Sequence, residues 1–198
     1  MFKVNSKALA AAITCQAIKD VRYYLNGVLI EPAESGGVRC VGTNGHHMIV
    51  VTDKNGECEK PVIIAFDSAT VTKLRNKKAT DVAGSYLEDG TAIARINGLG
   101  HVAAIEVIDG KFPDYTALFP QSLPEISSAF APFNAEYMRS FCDAAKYLGN
   151  RAISFVNSAT KDEKIFILFG ASTNDGLHAR GLLMPVRYEL CSMPWLPE

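Results

Sequence analysis

The chain has no Cys-x-x-Cys pair, no apolar run long enough to span a bilayer, a single tryptophan in 198 residues and almost no net charge. Each lack excludes a class of protein. The five cysteines (Cys15, Cys40, Cys58, Cys142, Cys191) are odd in number and far apart, which fits reduced thiols rather than a disulfide framework or a paired-thiolate metal site. The near-apolar stretches Ala8 to Ile13 and Val62 to Phe66 fall well short of the roughly 18–20 residues a membrane span needs. Ala8 to Cys15 has the apolar character of a lipoprotein leader, but Thr14 stands where a small residue should precede a lipidated cysteine, and Asn5-Ser6 reads as a helix start. The expectation is a cytoplasmic protein with no membrane partner. Twenty Lys and Arg against 21 Asp and Glu give a formal charge of -1, so any nucleic-acid contact must come from local patches.

What the chain does have is a core and a repeat. With 48% hydrophobic residues, ten Phe and seven Tyr, it can fold without staples. The same strand-to-helix junction occurs three times: Val4-Asn5-Ser6-Lys7-Ala8-Leu9, Phe66-Asp67-Ser68-Ala69-Thr70-Val71 and Phe133-Asn134-Ala135-Glu136-Tyr137-Met138. In each, an apolar residue precedes an Asn or Asp that can cap a helix, and a second apolar residue five places on completes a hydrophobic staple. The caps Asn5, Asp67 and Asn134 are 62 and 67 residues apart, which divides the chain into three units of roughly 66 residues.

Each cap predicts a short helix: Ser6 to Ile18, Ser68 to Asn76, and Ala135 to Leu148 with Gly149 as a stop signal. Strands follow each helix: Val21 to Ile30, Val38 to Gly42 and Met48 to Val51; Val82 to Leu87, Thr91 to Ile96 and Val102 to Ile108; Ala152 to Val156, Ile165 to Phe169 and Leu177 to Pro185. Their separators, such as Ser35-Gly36-Gly37 and Asn174-Asp175-Gly176, are turn chemistry, so the sheets should be antiparallel. The fold class is therefore α+β, built of three strand-helix-three-strand units. Prolines mark the joints, at Pro61 and across Pro113, Pro120 and Pro124, giving a complete domain over residues 1–120 (halves 1–58 and 59–120) and a half domain over 121–198.

Five strings in order, Asp20-Val-Arg-Tyr-Tyr-Leu-Asn-Gly27, Val41-Gly-Thr-Asn-Gly-His46, Gly110-Lys-Phe-Pro-Asp-Tyr115, Phe133-Asn134 with Tyr137, and Leu183-Met-Pro-Val-Arg187, resemble the bacterial sliding clamp, the beta subunit of DNA polymerase III. The resemblance implies a DNA-clamp-like fold in which units one and two correspond to the middle domain and unit three to the second half of the C-terminal domain. It also implies a pocket for short hydrophobic peptides of DNA polymerases and other clamp-binding proteins. Carried over by position, one wall is Leu25, Thr43, Gly45, His46, His47, Met48, Pro113 and Leu118, and the other is Asn134, Tyr137, Leu183, Met184, Pro185, Val186 and Arg187. Met48 and Met184 suit varied apolar anchors, and Asn134, Tyr137 and Arg187 could hold peptide backbone or a terminal carboxylate. His47 stands where the family commonly has Arg and Ala117 where it has a basic residue, so the rim is less cationic.

The resemblance further implies helices that touch duplex phosphates without reading sequence. Lys73, Arg75, Lys77 and Lys78 form a run with no acid between Thr70 and Thr80, and Lys7, Lys19, Arg139 and Lys146 lie on or beside the other helices. Glu136 and Asp143 dilute the third helix, so the expected binding is weak and salt-dependent. An enzyme is the rival class. His46 and His47 are adjacent, so in a strand they would point to opposite faces, and no zinc spacing, phosphate loop, nucleophile elbow or carboxylate cluster is present. Neither catalysis, a metal nor a cofactor is expected. Because three half-domains leave one without a partner, the chain is expected to form a homo-oligomer through its third unit. The alternative is a clamp-derived adaptor or decoy that binds clamp partners without encircling DNA.

Overall fold

The computed structural model describes residues 1–120, 125–126, 132–150, 152–159, 164–170 and 176–186. The α-helices among them are α1 (Ser6–Ile13), α2 (Ser68–Leu74) and α3 (Ala135–Tyr147). All three begin where the caps place them. The Asn5 side chain accepts from the Lys7 N–H, Asp67 from Thr70 and Asn134 from Glu136, each satisfying a helix donor that has no intrahelical partner. Helix α1 stops at Ile13 rather than Ile18: the Thr14, Cys15 and Gln16 N–H groups bond three residues back, and the Ala17 N–H donates to the Leu25 carbonyl at 3.0 Å instead of continuing the helix.

Two sheets form, and every ladder among the described residues is antiparallel. The five-stranded sheet has the order β5 (Glu57–Cys58), β1 (Phe2–Asn5), β7 (Asp81–Tyr86), β8 (Ala92–Ile96), β9 (His101–Ala104). The eight-stranded sheet runs β10 (Glu106–Ile108), β6 (Val62–Ala65), β2 (Val28–Pro32), β3 (Val38–Thr43), β4 (His47–Asp53), β13 (Leu177–Leu183), β12 (Ile165–Phe169), β11 (Ile153–Asn157). The first two units exchange their leading strands. Strand β1, which precedes α1, pairs with β7 of the second unit, and β6, which precedes α2, pairs with β2 of the first. The third unit joins the first along β4 and β13, in a register from His47↔Leu183 to Asp53↔Leu177.

Two stretches differ from the sequence expectation. Residues 21–27 are not strand: a loop held by the Asp20 N–H on Asn26 and the Asn26 amide on the Asp20 carbonyl leads into a short 3-10 turn, Tyr23–Leu25. Residues 102–108 are not one strand either. The chain crosses from one sheet to the other at Ile105, so β9 and β10 lie in different sheets. The strand expected before α3 falls mainly on residues outside the described set.

The helices form one layer, with α1 packed between α2 and α3. Helix α1 is almost pure small apolar residue, Ala8 to Ala12, all buried with Leu9. That composition permits a close approach of β3: a Cβ on Gly42 would stand 1.9 Å from the Ala12 carbonyl oxygen. The core divides in two across the large sheet. Phe141, Ile49, Ile167, Leu177 and Leu183 pack on the helix side, and Leu29, Met48, Val50, Phe166 and Leu182 pack on the other.

Candidate functional site

On the face of the large sheet away from the helices lies a cleft of about 250 Å³. Its floor is Met48 and Leu182, opposite one another across the β4–β13 seam. The rim starts with the turn Thr43–His47, whose shape follows from its residues. The Thr43 hydroxyl donates to the His47 carbonyl at 2.9 Å and accepts from the Gly45 N–H at 3.0 Å. The Asn44 side-chain oxygen accepts from the backbone N–H of His46 and of His47 at 2.9 and 3.1 Å. Gly45 supplies the left-handed φ of 87° that closes the turn. A Cβ there would also meet the Arg22 guanidinium at 2.7 Å.

Arg22 is fixed from two sides. It forks onto Asp20 at 3.0 and 2.7 Å and donates to the Asn44 carbonyl at 3.0 Å, and the fork holds the Asp20 carboxyl down at about 2. The result is a preorganised cation at the mouth of an apolar cleft. Across the cleft, Tyr115 is buried, its hydroxyl donating to Glu31 and accepting from Arg39 at 3.4 Å. Burial pushes the Tyr115 hydroxyl up to about 12, so it remains a donor.

The second wall is stitched to the first. The Met184 N–H donates to the His46 carbonyl at 2.9 Å, and the Val186 N–H donates to the Pro132 carbonyl at 2.9 Å, just before α3. Tyr137 in the first turn of α3 stacks on both histidines, with centroids 6.0 Å from His46 and 4.4 Å from His47, and Phe141 meets His47 edge-on at 5.7 Å. The two rings thus converge on one partner instead of pointing apart, because His46 lies before β4 rather than in it. His47 Nδ1 lies 2.9 Å from the Asn44 side-chain oxygen, and the buried Nε2 has no hydrogen-bond partner among the described residues. Burial, with His46 adding to it, drives His47 down to about 4 against a smaller opposing effect of the Thr14 backbone. Among the described residues no group of three or more His, Cys, Asp or Glu could hold a metal ion.

Of the expected wall residues, Leu25, Thr43, Gly45, His46, His47, Met48, Pro113, Leu118 and Met184 border this cleft. Five others take different positions. Leu183 is buried in the helix-side core and Leu182 lines the cleft in its place, since adjacent strand residues face opposite ways. Asn134 is occupied as the α3 cap, Tyr137 supports the rim from behind, and Pro185 and Val186 continue beyond the lining. Arg187 lies outside the described residues. Sequence reasoning missed Arg22, Tyr24, Phe112 and Tyr115 although all four sit inside two of the recognised strings. A larger cleft of about 650 Å³ adjoins the first beyond the 109–116 loop and shares Phe112, Pro113 and Tyr115 with it.

The expected DNA-contacting residues lie on the helical layer or at its exits. Lys73, Arg75, Lys77 and Lys78 are exposed on and after α2, Arg139 and Lys146 are exposed on α3, Lys7 is half-buried in the first turn of α1, and Lys19 is exposed in the loop after it. Arg75 lies 5.4 Å over the Tyr147 ring, and Lys146 is paired with Asp143 at 2.8 Å.

No protein-family model matches the chain. The beta sliding clamp of Haemophilus influenzae is 27% identical over 151 residues, covering 76% of this chain and 40% of that protein, and the beta sliding clamp of Vibrio cholerae is 33% identical over 108 residues, covering 53% and 28%. This chain is a homologue of bacterial beta sliding clamps. Solved clamps share its fold: a DNA polymerase sliding clamp from Pseudomonas aeruginosa superposes with a TM-score of 0.63 at 17% identity, over 94% of this chain and 65% of that one. The DNA polymerase III beta subunit of Thermotoga maritima gives 0.63 at 12% identity, over 97% and 66%. The chain spans less than half the length of the curated clamps it matches. No helix among its described residues is long and apolar enough to cross a membrane.

Proposed function

We propose that this chain is a sliding-clamp-like accessory protein of DNA replication or repair, cytoplasmic and non-enzymatic, that binds short hydrophobic peptide segments of DNA polymerases and related proteins. The observation that carries the reading is the cleft itself. Two methionines, Met48 and Met184, line it beside Leu25 and Leu182, and Arg22 is held at its mouth. Flexible apolar liners accept differing Leu, Phe or Met anchors, while one fixed cation can orient a peptide carbonyl or carboxylate.

The helical layer supports weak, non-specific contact with duplex DNA. Lys73, Arg75, Lys77, Lys78 and Arg139 are exposed on or just after α2 and α3, where positive charge suits phosphates rather than base edges. Self-association through the third unit also belongs to the proposal, because Phe155 of β11 and Leu168 of β12 are large apolar residues left 48% and 40% exposed.

The test is fluorescence anisotropy with a labelled short peptide bearing Leu and Phe anchors and a free carboxylate. Met184→Glu should weaken binding at least about tenfold, equivalent to ~1.4 kcal/mol. Equal affinity for both proteins would remove the cleft from the proposal. Retention on circular but not linear duplex would then favour encirclement, and equal or absent retention would favour an adaptor that works off DNA.

A further inference from the structure

The seam between β4 and β13 joins the third strand of one unit to the third strand of another, antiparallel over seven residue pairs. The chain contains one more strand of that kind. Strand β9 is third in the run β7, β8, β9 of the second unit and ends the five-stranded sheet, its outer edge open among the described residues.

Two other sheet ends in the molecule are guarded against pairing. Strand β5 has two residues, one of them Glu57, and is followed by Glu59, Lys60 and Pro61; β10 begins with Glu106 and is followed by Asp109 and Gly110. Short length, charge and proline are the usual means of blocking an edge. Strand β9, His101-Val102-Ala103-Ala104, has no proline and no Lys, Arg, Asp or Glu. Its backbone is also correctly presented. The Ile105 N–H donates to the Ala92 carbonyl at 3.0 Å, so by alternation His101 and Ala103 bond towards β8. The N–H and C=O groups of Val102 and Ala104 therefore point outward, and the Val102 side chain is 48% exposed.

We propose that β9 pairs antiparallel with β9 of a second copy of this chain about a two-fold axis, joining two five-stranded sheets into one. In the register that sets outward-bonding residues against each other, Val102 lies opposite the partner's Ala104 and the two Ala103 residues face each other at the axis. The contact is isologous, so the donors and acceptors of one edge are matched by those of the other, and no charged side chain of the strand is brought against its like. This interface is separate from both the peptide cleft and the β11 edge.

Sedimentation velocity on the full chain tests it, with two variants. Val102→Pro removes an outward N–H without touching the bonds to β8, a position where an edge strand tolerates proline. It should halve the mass of the assembled species and leave peptide binding in the cleft unchanged. Ala103→Cys places two thiols across a non-hydrogen-bonded pair, with Cα atoms about 4.5 Å apart and within disulfide reach. Under mild oxidation it should give a covalent dimer absent from the parent chain, which has its own accessible Cys58 and Cys142. A parent chain of single-copy mass, or Ala103→Cys that stays uncrosslinked, overturns the proposal. An unchanged mass for folded Val102→Pro does so too. Where that variant fails to fold, Ala104→Lys reads the same mass change by placing like charges across the axis. Loss of peptide binding with the mass intact would count against the cleft alone.

Discussion

Replacing His47 with phenylalanine should change how the protein responds to acid while leaving its fold at neutral pH nearly intact. His47 is 5% exposed, stacked on Tyr137 and edge-on to Phe141, and its buried Nε2 has no partner among the described residues. Its titration falls from 6.5 to about 4, chiefly through burial. The sign follows from linkage: above 6.5 both folded and unfolded chains hold the neutral ring, and below it only the unfolded chain takes the proton until the folded value is reached. Stability is therefore lost as pH falls from about 6.5 towards 4. That depression corresponds to ~3 kcal/mol, of which ~2 kcal/mol is gone at about pH 5. With a urea slope of about 1–3 kcal/mol per molar, the midpoint should drop by ~1 M. A phenyl ring in place of the imidazole keeps the aromatic contacts and forfeits the Asn44 hydrogen bond, so His47→Phe should lie within ~1 kcal/mol of the parent at neutral pH and lose much less on acidification. Hydrogen bonds hold the Asp20, Asp67, Asp89 and Asp114 carboxyls below the usual carboxylate range, so they leave this window clear. Urea titrations of both chains at neutral pH and at about pH 5 decide the matter, and the same midpoint loss in each would refute the reasoning.

Three further outcomes are expected. Gly42→Ala drives a Cβ to within 1.9 Å of the Ala12 carbonyl and should cost ~3 kcal/mol or more in a urea midpoint measurement, because both contacting groups are backbone. Phe141→Ala removes a fully buried ring that fills the space above Gly181 and should cost ~3–5 kcal/mol, read by thermal unfolding. Neutralising Lys73, Arg75 and Lys77 together should flatten the dependence of duplex affinity on salt by up to about 2.7 in the log–log slope, and an unchanged slope would remove α2 from the DNA contact.

The helix starts were legible because a cap is local chemistry: Asn5, Asp67 and Asn134 each act within three residues of themselves. The end of α1 was not. Ile18 continues an apolar pattern yet is 83% exposed, and Val21 and Tyr23 mimic strand alternation while standing 95% and 56% exposed in a loop tied by Asp20 and Asn26. Pattern reports which residues are apolar, and tertiary bonds decide which of them are covered. The same limit applies at the site. The strings located the cleft, but Leu182 and Leu183 are identical side chains in an unbroken apolar run, and only the register against Met48 and His47 assigns one to the cleft and the other to the core. The exchange of β1 and β6 between units leaves no trace in composition, because the alternating Phe2-Lys3-Val4-Asn5 and the apolar Val62 to Ala65 would suit a strand of either sheet.

The two sheets end on unlike strands. The five-stranded sheet ends on a third strand, β9, and the eight-stranded sheet ends, among the described residues, on a first strand, β11. A β9 edge that pairs only with its own kind closes at two copies, because a single two-fold axis occupies both edges at once.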